Sequence, residues 1–320
     1  MIAVAVWPER RGLFMKKRSL RASLLLLLTA LIWGLAFVAQ DVAADTLGPF
    51  TFNGARMLLA AVALLPVAWF SDRRAQKNGT ADWQGTGSGV PFRRMQPAQR
   101  KTLLIGGAAC GVMLTLGSVF QQAGITLGTG AGKAGFITAL YIVLVPLCGL
   151  FLGKRPGKAI WLAVVLSLGG LYLLCISSSL SIDPGDGLLM LSALAFTGDI
   201  LVVDYFSTRT DCVKMSCLQF FTGAVLCILM ALLLEKPTWT ALSQSLIPVL
   251  YAGLLSCAVG YTLQIIGQRD ADPTVASLIM SLESVFAVLA GWLILGDALS
   301  LREFLGCALM MGGIVIAQLL

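Results

Sequence analysis

The sequence predicts an all-α integral membrane protein of ten transmembrane helices, built as two inverted five-helix repeats. Three observations predict it. The chain is too apolar for water: of 320 residues 58% are hydrophobic and 12% charged, with a mean hydropathy of +0.87, whereas a soluble domain carries about 25% charged residues. Its apolar residues fall into ten stretches, each long enough to cross a hydrocarbon core of about 30 Å as a helix. The second half of the chain also repeats the residue pattern of the first.

The stretches run over about 22–40, 49–70, 103–125, 131–152, 157–176, 185–205, 213–234, 246–268, 273–295 and 301–319. Turn residues mark their ends: Pro49, Pro156, Asp183-Pro184-Gly185, Pro237 and Pro273. A basic tail, residues 1–21, precedes the first stretch with Arg10, Arg11, Lys16, Lys17, Arg18 and Arg21. A cleaved leader would also begin this way, yet the apolar run continues through Trp33 to Val38 without a small-x-small cleavage site and is repeated later, so it reads as a retained span. Met15-Lys-Lys-Arg is an alternative start. The one sizeable soluble piece, residues 71–101, surrounds a Gly/Thr/Ser-rich tract with basic residues and reads as a flexible loop without chemistry. The organisation is thus a tail over 1–21, a first repeat over 22–176 and a second over 185–320.

Charge supplies the topology. With the N-terminus inside, nineteen of the twenty-three Lys and Arg residues fall in cytoplasmic segments, and the outer loops keep only Lys236 and Arg302. The positive-inside rule then places both termini in the cytoplasm. Because the basic residues flank apolar runs, the net charge of +7 is a topology signal rather than a nucleic-acid footprint. The eight cysteines lie mostly within apolar stretches with no CxxC pair, which argues against a disulfide framework. Histidine is absent, removing the commonest metal ligand and general base, and no metal or cofactor is expected. No GxxxxGK[ST] motif is present, which disfavours ATP-driven transport by this chain alone.

A shift of 143 residues aligns Gly117, Gln121 and Gly124 with Gly260, Gln264 and Gly267, then Leu152-Gly153 with Leu295-Gly296, and Gly169-Gly170 with Gly312-Gly313. Earlier the shift is 163, matching Ala30-Leu31 and Trp33 with Ala193-Leu194 and Phe196; the longer 71–101 loop accounts for the difference. Each repeat holds five spans, an odd number, so the second enters the membrane from the opposite side. Inverted repeats meeting at a midplane site are an architecture of secondary transporters.

The segments LTALIWGLAFVAQ (28–40), FNGARMLLAAVALLP (52–66), TGAGKAGFITALYIVLVPL (129–147) and ASLIMSLESVFAVLAGWLILGDALSLREFLGCALMMGGIVIA (276–317) resemble the EamA repeats of the drug/metabolite transporter superfamily. The resemblance implies a multi-pass carrier of a bacterial inner membrane, often an exporter of amino acids or other metabolites, with a central cavity between its halves. It leaves the substrate open. A non-transporting sensor or partner subunit is the alternative; a membrane-embedded enzyme lacks any recognisable catalytic set in this sequence.

Several residues are candidates for substrate binding or coupling. Gln121 and Gln264 sit on one helix face with their flanking glycines, as paired cavity hydrogen-bonders or as packing glue. Glu283 lies ten residues into its stretch, about 15 Å deep at 1.5 Å per residue. A carboxylate there is able to bind a proton and a substrate amine in turn, or to serve as a structural group paired with another helix. A stripe of Ser277, Ser281 and Ser284 lies about 100° away on the same helix, so one of the two faces is expected to miss the cavity. Asp199, deep in the sixth stretch, calls for a partner such as Arg56 or Lys133, or for a place on the cavity wall. Lys133 reads as a snorkelling residue or a carboxylate-capturing one. Arg56 belongs to the resemblance and serves packing, topology or the site. Trp33, Tyr141 and Tyr261 are candidate cavity walls, and Pro146 is expected to kink the fourth span.

Overall fold

The computed structural model describes residues 15–129, 131–153, 156–175, 184–290 and 300–319, and these are helical almost throughout. The helices are α1 (Met15–Ala44), α2 (Pro49–Lys77), α3 (Pro97–Thr126), α4 (Ala131–Thr138), α5 (Tyr141–Phe151), α6 (Lys158–Cys175) and α7 (Pro184–Ser207). They are followed by α8 (Cys212–Leu234), α9 (Trp239–Gln244), α10 (Leu246–Leu250), a π-helical segment Tyr251–Tyr261 that runs on into α11 (Thr262–Gln268), then α12 (Pro273–Met280), α13 (Glu283–Ala290) and α14 (Leu301–Leu319). Eight of these continuous or broken helices are long and apolar enough to cross a membrane; Lys158–Leu174 and Pro273–Leu289 are shorter apolar helical stretches at the two remaining positions. The protein is therefore an all-helical membrane protein with the order of elements the hydropathy predicts. Part of the basic tail, Lys154, Arg155, Trp292 and the Leu295-Gly296 match lie outside the described residues.

Local chemistry starts the helices where the chain must turn. Proline, whose missing N–H costs nothing in a first turn, opens α2, α3 and α12. Asp211 and Asp272 cap α8 and α12 by accepting the backbone N–H of Lys214 and Thr274. Gln96 and Gln99 form a reciprocal capping box at α3.

Two stretches expected to be continuous are broken. The fourth span divides at Ala139-Leu140, between α4 and α5, and the ninth at Ser281-Leu282, between α12 and α13. Pro146 lies inside α5, and the break falls more than one turn before it rather than at it. Proline cannot bond to the carbonyl of Ile142, and the turn ahead tightens accordingly: Ile142 and Val143 donate three residues back, to Ala139 and Leu140. No proline stands at the ninth-span break.

The segment between α2 and α3 is also unlike its expectation. The sequence predicts a flexible loop, whereas the segment folds back in turns onto the helix ends. The Asp82 carboxylate accepts from Gly85 N at 2.8 Å, Thr86 N at 2.6 Å and the Thr86 hydroxyl at 2.9 Å. These donors hold its pKa below the ordinary carboxylate value. Val90 and Met95 are buried against Leu103, Cys110, Val203, Met215 and Ile265, and Gly89 N donates to Asp211 at 3.3 Å.

The two halves are related as the sequence shift requires. The helix pairs α2/α8 and α6/α14 pack on each other, as do α3/α7 and α1/α11. Glycines make the equivalence quantitative. A Cβ at Gly124 would lie 2.7 Å from Leu189 and one at Gly267 2.9 Å from Leu26; a Cβ at Gly170 would meet Gly306 O at 2.6 Å and one at Gly313 would meet Ala163 O at 2.8 Å. In each case the partners are themselves repeat-equivalent. The shift changes by one residue within the third span: Gly111 packs on Thr222 and Gln219 as Gly253 packs on Leu59 and Arg56. The second repeat therefore carries one residue more between Gly253 and Gly260 than the first does between Gly111 and Gly117. The π-helical segment Tyr251–Tyr261 is where that residue is absorbed.

The α2/α8 pair is fastened at both ends by equivalent residues with different chemistry. At one end the Lys214 ammonium lies 2.5 Å from Asp72 and 3.4 Å from Asp211, all three buried. At the other, Glu235 takes the place of Asp72 and Thr51 that of Lys214: the carboxylate accepts from Phe50 N, Thr51 N and the Thr51 hydroxyl at 2.6–2.7 Å, capping the positive end of α2.

The glycine pairs give a direct test. Gly169 and Gly312 face open space, whereas Gly170 and Gly313 touch backbone of the neighbouring helix. Gly170→Val and Gly313→Val are expected to cost about 1–3 kcal/mol or more by overpacking and to broaden or abolish the monodisperse peak in size-exclusion chromatography. Gly169→Val and Gly312→Val should elute as wild type.

Candidate functional site

The two broken spans meet at their breaks. Tyr141 is the first residue of α5 and Glu283 the first of α13, and the tyrosine hydroxyl donates to Glu283 Oε1 at 3.1 Å. Glu283 is only 6% exposed, so this contact and the cavity wall are its surroundings. The serine stripe lies elsewhere: Ser277 and Ser281 donate back to the carbonyls of Thr274 and Leu278. Of the two faces considered in the sequence, the glutamate face meets the cavity.

The glutamines differ in their partners. Gln121 donates to the Thr138 hydroxyl at 3.3 Å, at the end of α4. Gln264 donates to Asp199 Oδ2 at 3.5 Å and to Gln268 Oε1 at 3.0 Å. This leaves Asp199 Oδ1 and Gln264 Oε1 as buried acceptors without a donor among the described residues. Asp199 thus rests on a glutamine, and the expected pairing with Arg56 is not formed.

Arg56 is buried two turns into α2, where Asn53 accepts from its Nε at 2.9 Å and the Phe52 ring lies 5.1 Å beneath its guanidinium carbon. Asn53 is itself fixed, donating to the carbonyls of Pro49 and Ser118. Among the described residues no carboxylate lies within ion-pairing distance of Arg56, and its terminal nitrogens meet no acceptor.

Aromatic rings close the walls. Trp33 stacks at a tilt on Tyr261, with centroids 4.5 Å apart, and donates its Nε1 to Ser256 O at 3.4 Å. It also sits on Gly260, where a Cβ would fall 2.8 Å from the indole; its equivalent Phe196 sits on Gly117, at 2.9 Å. The first glycine of each Gly-x3-Gln-x2-Gly pattern thus admits an aromatic ring from the other repeat.

One partly enclosed cavity collects these groups: Trp33, Arg56, Gln121, Tyr141, Asp199, Tyr261, Gln264 and Glu283 all line it. Of the candidates read from the sequence, Lys133 belongs to α4 by its backbone, and its side chain lies outside the described residues. The wall also includes Gln40, Thr138, Phe196 and Ser256, which the sequence reading did not single out for the site. Phe196 was already marked by its equivalence to Trp33, whereas nothing in the sequence around Gln40 separates it from a helix-end residue. The cavity is off-centre. It includes Gln40 and Arg56 but not their equivalents Val203 and Gln219, so it leans toward the α1–α2 connection. Among the described residues no group of three or more metal-ligating side chains occurs.

The profile of the EamA-like transporter family matches residues 20–176 and 183–318. An uncharacterized transporter of Archaeoglobus fulgidus is 27% identical over 303 residues, covering 94% of this chain and 87% of that one. The uncharacterized transporter YwfM of Bacillus subtilis is 28% identical over 296 residues, 92% of each chain. A crystal structure 17% identical in sequence superposes with a TM-score of 0.72 over 92% of this chain and 96% of that one, a likeness of fold.

The Tyr141–Glu283 bond predicts a coupling. In a double-mutant cycle with Tyr141→Phe and Glu283→Gln, thermal unfolding of the purified protein should give a non-additive term of about 1 kcal/mol or more. Additive losses would mean that the two groups do not interact.

Proposed function

The chain belongs to the EamA-like transporter family and is a membrane transporter rather than an enzyme, and from that premise we propose that it is a secondary carrier of a small metabolite, an amino acid or a related compound, working by alternating access. The observation that carries this reading is a cavity between inverted repeats, lined by both repeats and by the polar groups that a soluble cargo needs inside a bilayer. Buried ionisable groups within membrane spans cost several kcal/mol unless used or paired. Here three of them, Arg56, Asp199 and Glu283, surround one space.

Glu283 is the coupling residue of this proposal. Its position at a half-helix N-terminus, against a tyrosine hydroxyl, lets one carboxylate exchange a proton for a cargo group as the access state changes. Gln121 and Gln264, from equivalent positions in the two repeats, hold the cargo by hydrogen bonds in both states. The distribution of Lys and Arg supports cytoplasmic termini, and the family resemblance supports a bacterial inner membrane. In that orientation the off-centre cavity leans toward the outer side, and the export direction of the proposal rests on the family resemblance. A sensor with the same fold would show no flux.

Metabolite profiling of cells with and without the gene should reveal a compound whose distribution across the membrane depends on the protein. In proteoliposomes Glu283→Gln should insert normally and lose the pH dependence of flux of that compound. A Glu283→Gln variant with wild-type flux across the pH series removes Glu283 from the mechanism. Gln121→Ala and Gln264→Ala should raise the concentration for half-maximal flux several-fold at unchanged protein level, since each removes a neutral hydrogen bond of about 0.5–1.5 kcal/mol; equal loss of protein level would assign them to packing.

A further inference from the structure

In the orientation proposed above, the cavity leans outward because its cytoplasmic floor is filled. Val203 follows Asp199 by one turn on α7 and Ile265 follows Gln264 on α11, so both stand just past the cavity wall. Their repeat equivalents near the outer mouth are polar: Gln40 lines the cavity, and its carbonyl accepts from Gln122 Nε2 at 3.0 Å. The floor is instead an apolar cluster that joins Val203 and Ile265 to Cys110, Cys212 and Met215, and Val90 and Met95 complete it. These last two are 1% and 3% exposed, and they come from outside the spans, on the segment between α2 and α3.

Local chemistry in that segment places the two side chains. Gly87 and Gly89, both at φ +73°, turn the chain through a conformation that L side chains rarely adopt. The Asp82 carboxylate fixes the turn ahead of them, and Gln99 Nε2 donates to the carbonyls of Trp83 and Gly85 at 3.1 and 3.0 Å. Gly89 N then reaches Asp211 at the start of α8. The equivalent connection of the second repeat, on the outer side, is lighter. Its short helix α9 buries none of its residues; Ala241 and Leu242 pack partly buried and Trp239 is 83% exposed. A connection that only joins two spans has no need of two buried side chains set against α7, α8 and α11 of the other repeat, whereas a path that opens alternately to each side needs a removable floor.

Building on the carrier reading above, we propose that Val90 and Met95 are the cytoplasmic plug of the transport path: docked on Val203 and Ile265 they close it, and it opens inward when segment 78–96 lifts away from α7, α8 and α11. The α2/α8 pair stays fastened through Lys214, Asp72 and Asp211, so the segment moves as a flap beside that pair. Release of the plug and closure of the outer mouth are two ends of one motion.

The test is cysteine labelling of the full-length protein in sealed membranes, resolved by peptide mass spectrometry. Native Cys212 reports on the floor and Gln40→Cys on the outer mouth. The double variant Val90→Ala/Met95→Ala should raise the rate at which a small permeant maleimide modifies Cys212 by about tenfold or more, because only the docked state loses buried apolar groups. Asp82→Ala, which touches no span, should act in the same direction and serves where the double variant fails to fold. When a bulky impermeant maleimide has first been attached to Gln40→Cys from outside, the outer mouth is held open, and Cys212 should return to near its wild-type rate in either variant. The inference is overturned if Cys212 reacts at the wild-type rate in both variants, if its faster reaction survives modification of Gln40→Cys, as local loosening would, or if Gln40→Cys takes no label from outside. Absence of protein-dependent flux in the wild type would overturn the carrier reading and the plug's role with it, whereas uncoupled labelling in a protein that does transport overturns the plug alone.

Discussion

A hydrocarbon environment offers backbone amides and carbonyls no partner, so a chain inside it stays helical except where protein or trapped water takes over the hydrogen bonds. Among the described residues, the departures from regular α-helix within the spans obey that constraint. The breaks at Ala139-Leu140 and Ser281-Leu282 and the π-helical segment ending at Tyr261 all border the same cavity. Irregular backbone is concentrated at the one place where it is tolerable, and it brings Tyr141, Glu283, Tyr261 and Gln264 to one wall. The site is thus a product of where the fold is allowed to be irregular.

Close helix approach supplies the rest of the architecture. Glycine-backbone contacts recur at equivalent positions in both repeats, so packing between α3 and α7 resembles that between α1 and α11, and α6 lies against α14. In lipid, where apolar surfaces gain nothing by leaving water, such close contacts and a few polar bonds must hold helices together. The paired carboxylates Asp72 and Glu235 do this for α2 and α8.

Much of this was legible in the sequence because it depends on composition and periodicity. Hydropathy gave the order of the spans, and the Gly117/Gln121/Gly124 and Gly260/Gln264/Gly267 patterns marked the helices that face the cavity. What stayed hidden depends on contacts between residues far apart in sequence. Ser281-Leu282 and Ala139-Leu140 are ordinary membrane-helix residues, and nothing adjacent announces a break. The segment after α2 looked flexible because its glycines are conformationally free, while the groups that order it, such as Asp211 for Gly89, lie far along the chain. Gln40 and the orphaned acceptors at Asp199 and Gln264 likewise gain their meaning from tertiary neighbours alone.

The extra residue absorbed between Gly253 and Gly260 has a thermodynamic consequence. Were the two repeats identical, exchanging their conformations would turn one access state into the other with no change in free energy, and the pair would be degenerate. A single residue without a counterpart lifts that degeneracy, as does an ion pair at one end of α2/α8 where the other end has a capped helix. The empty protein then has an intrinsic resting orientation, set by its own sequence before any gradient or cargo acts on it.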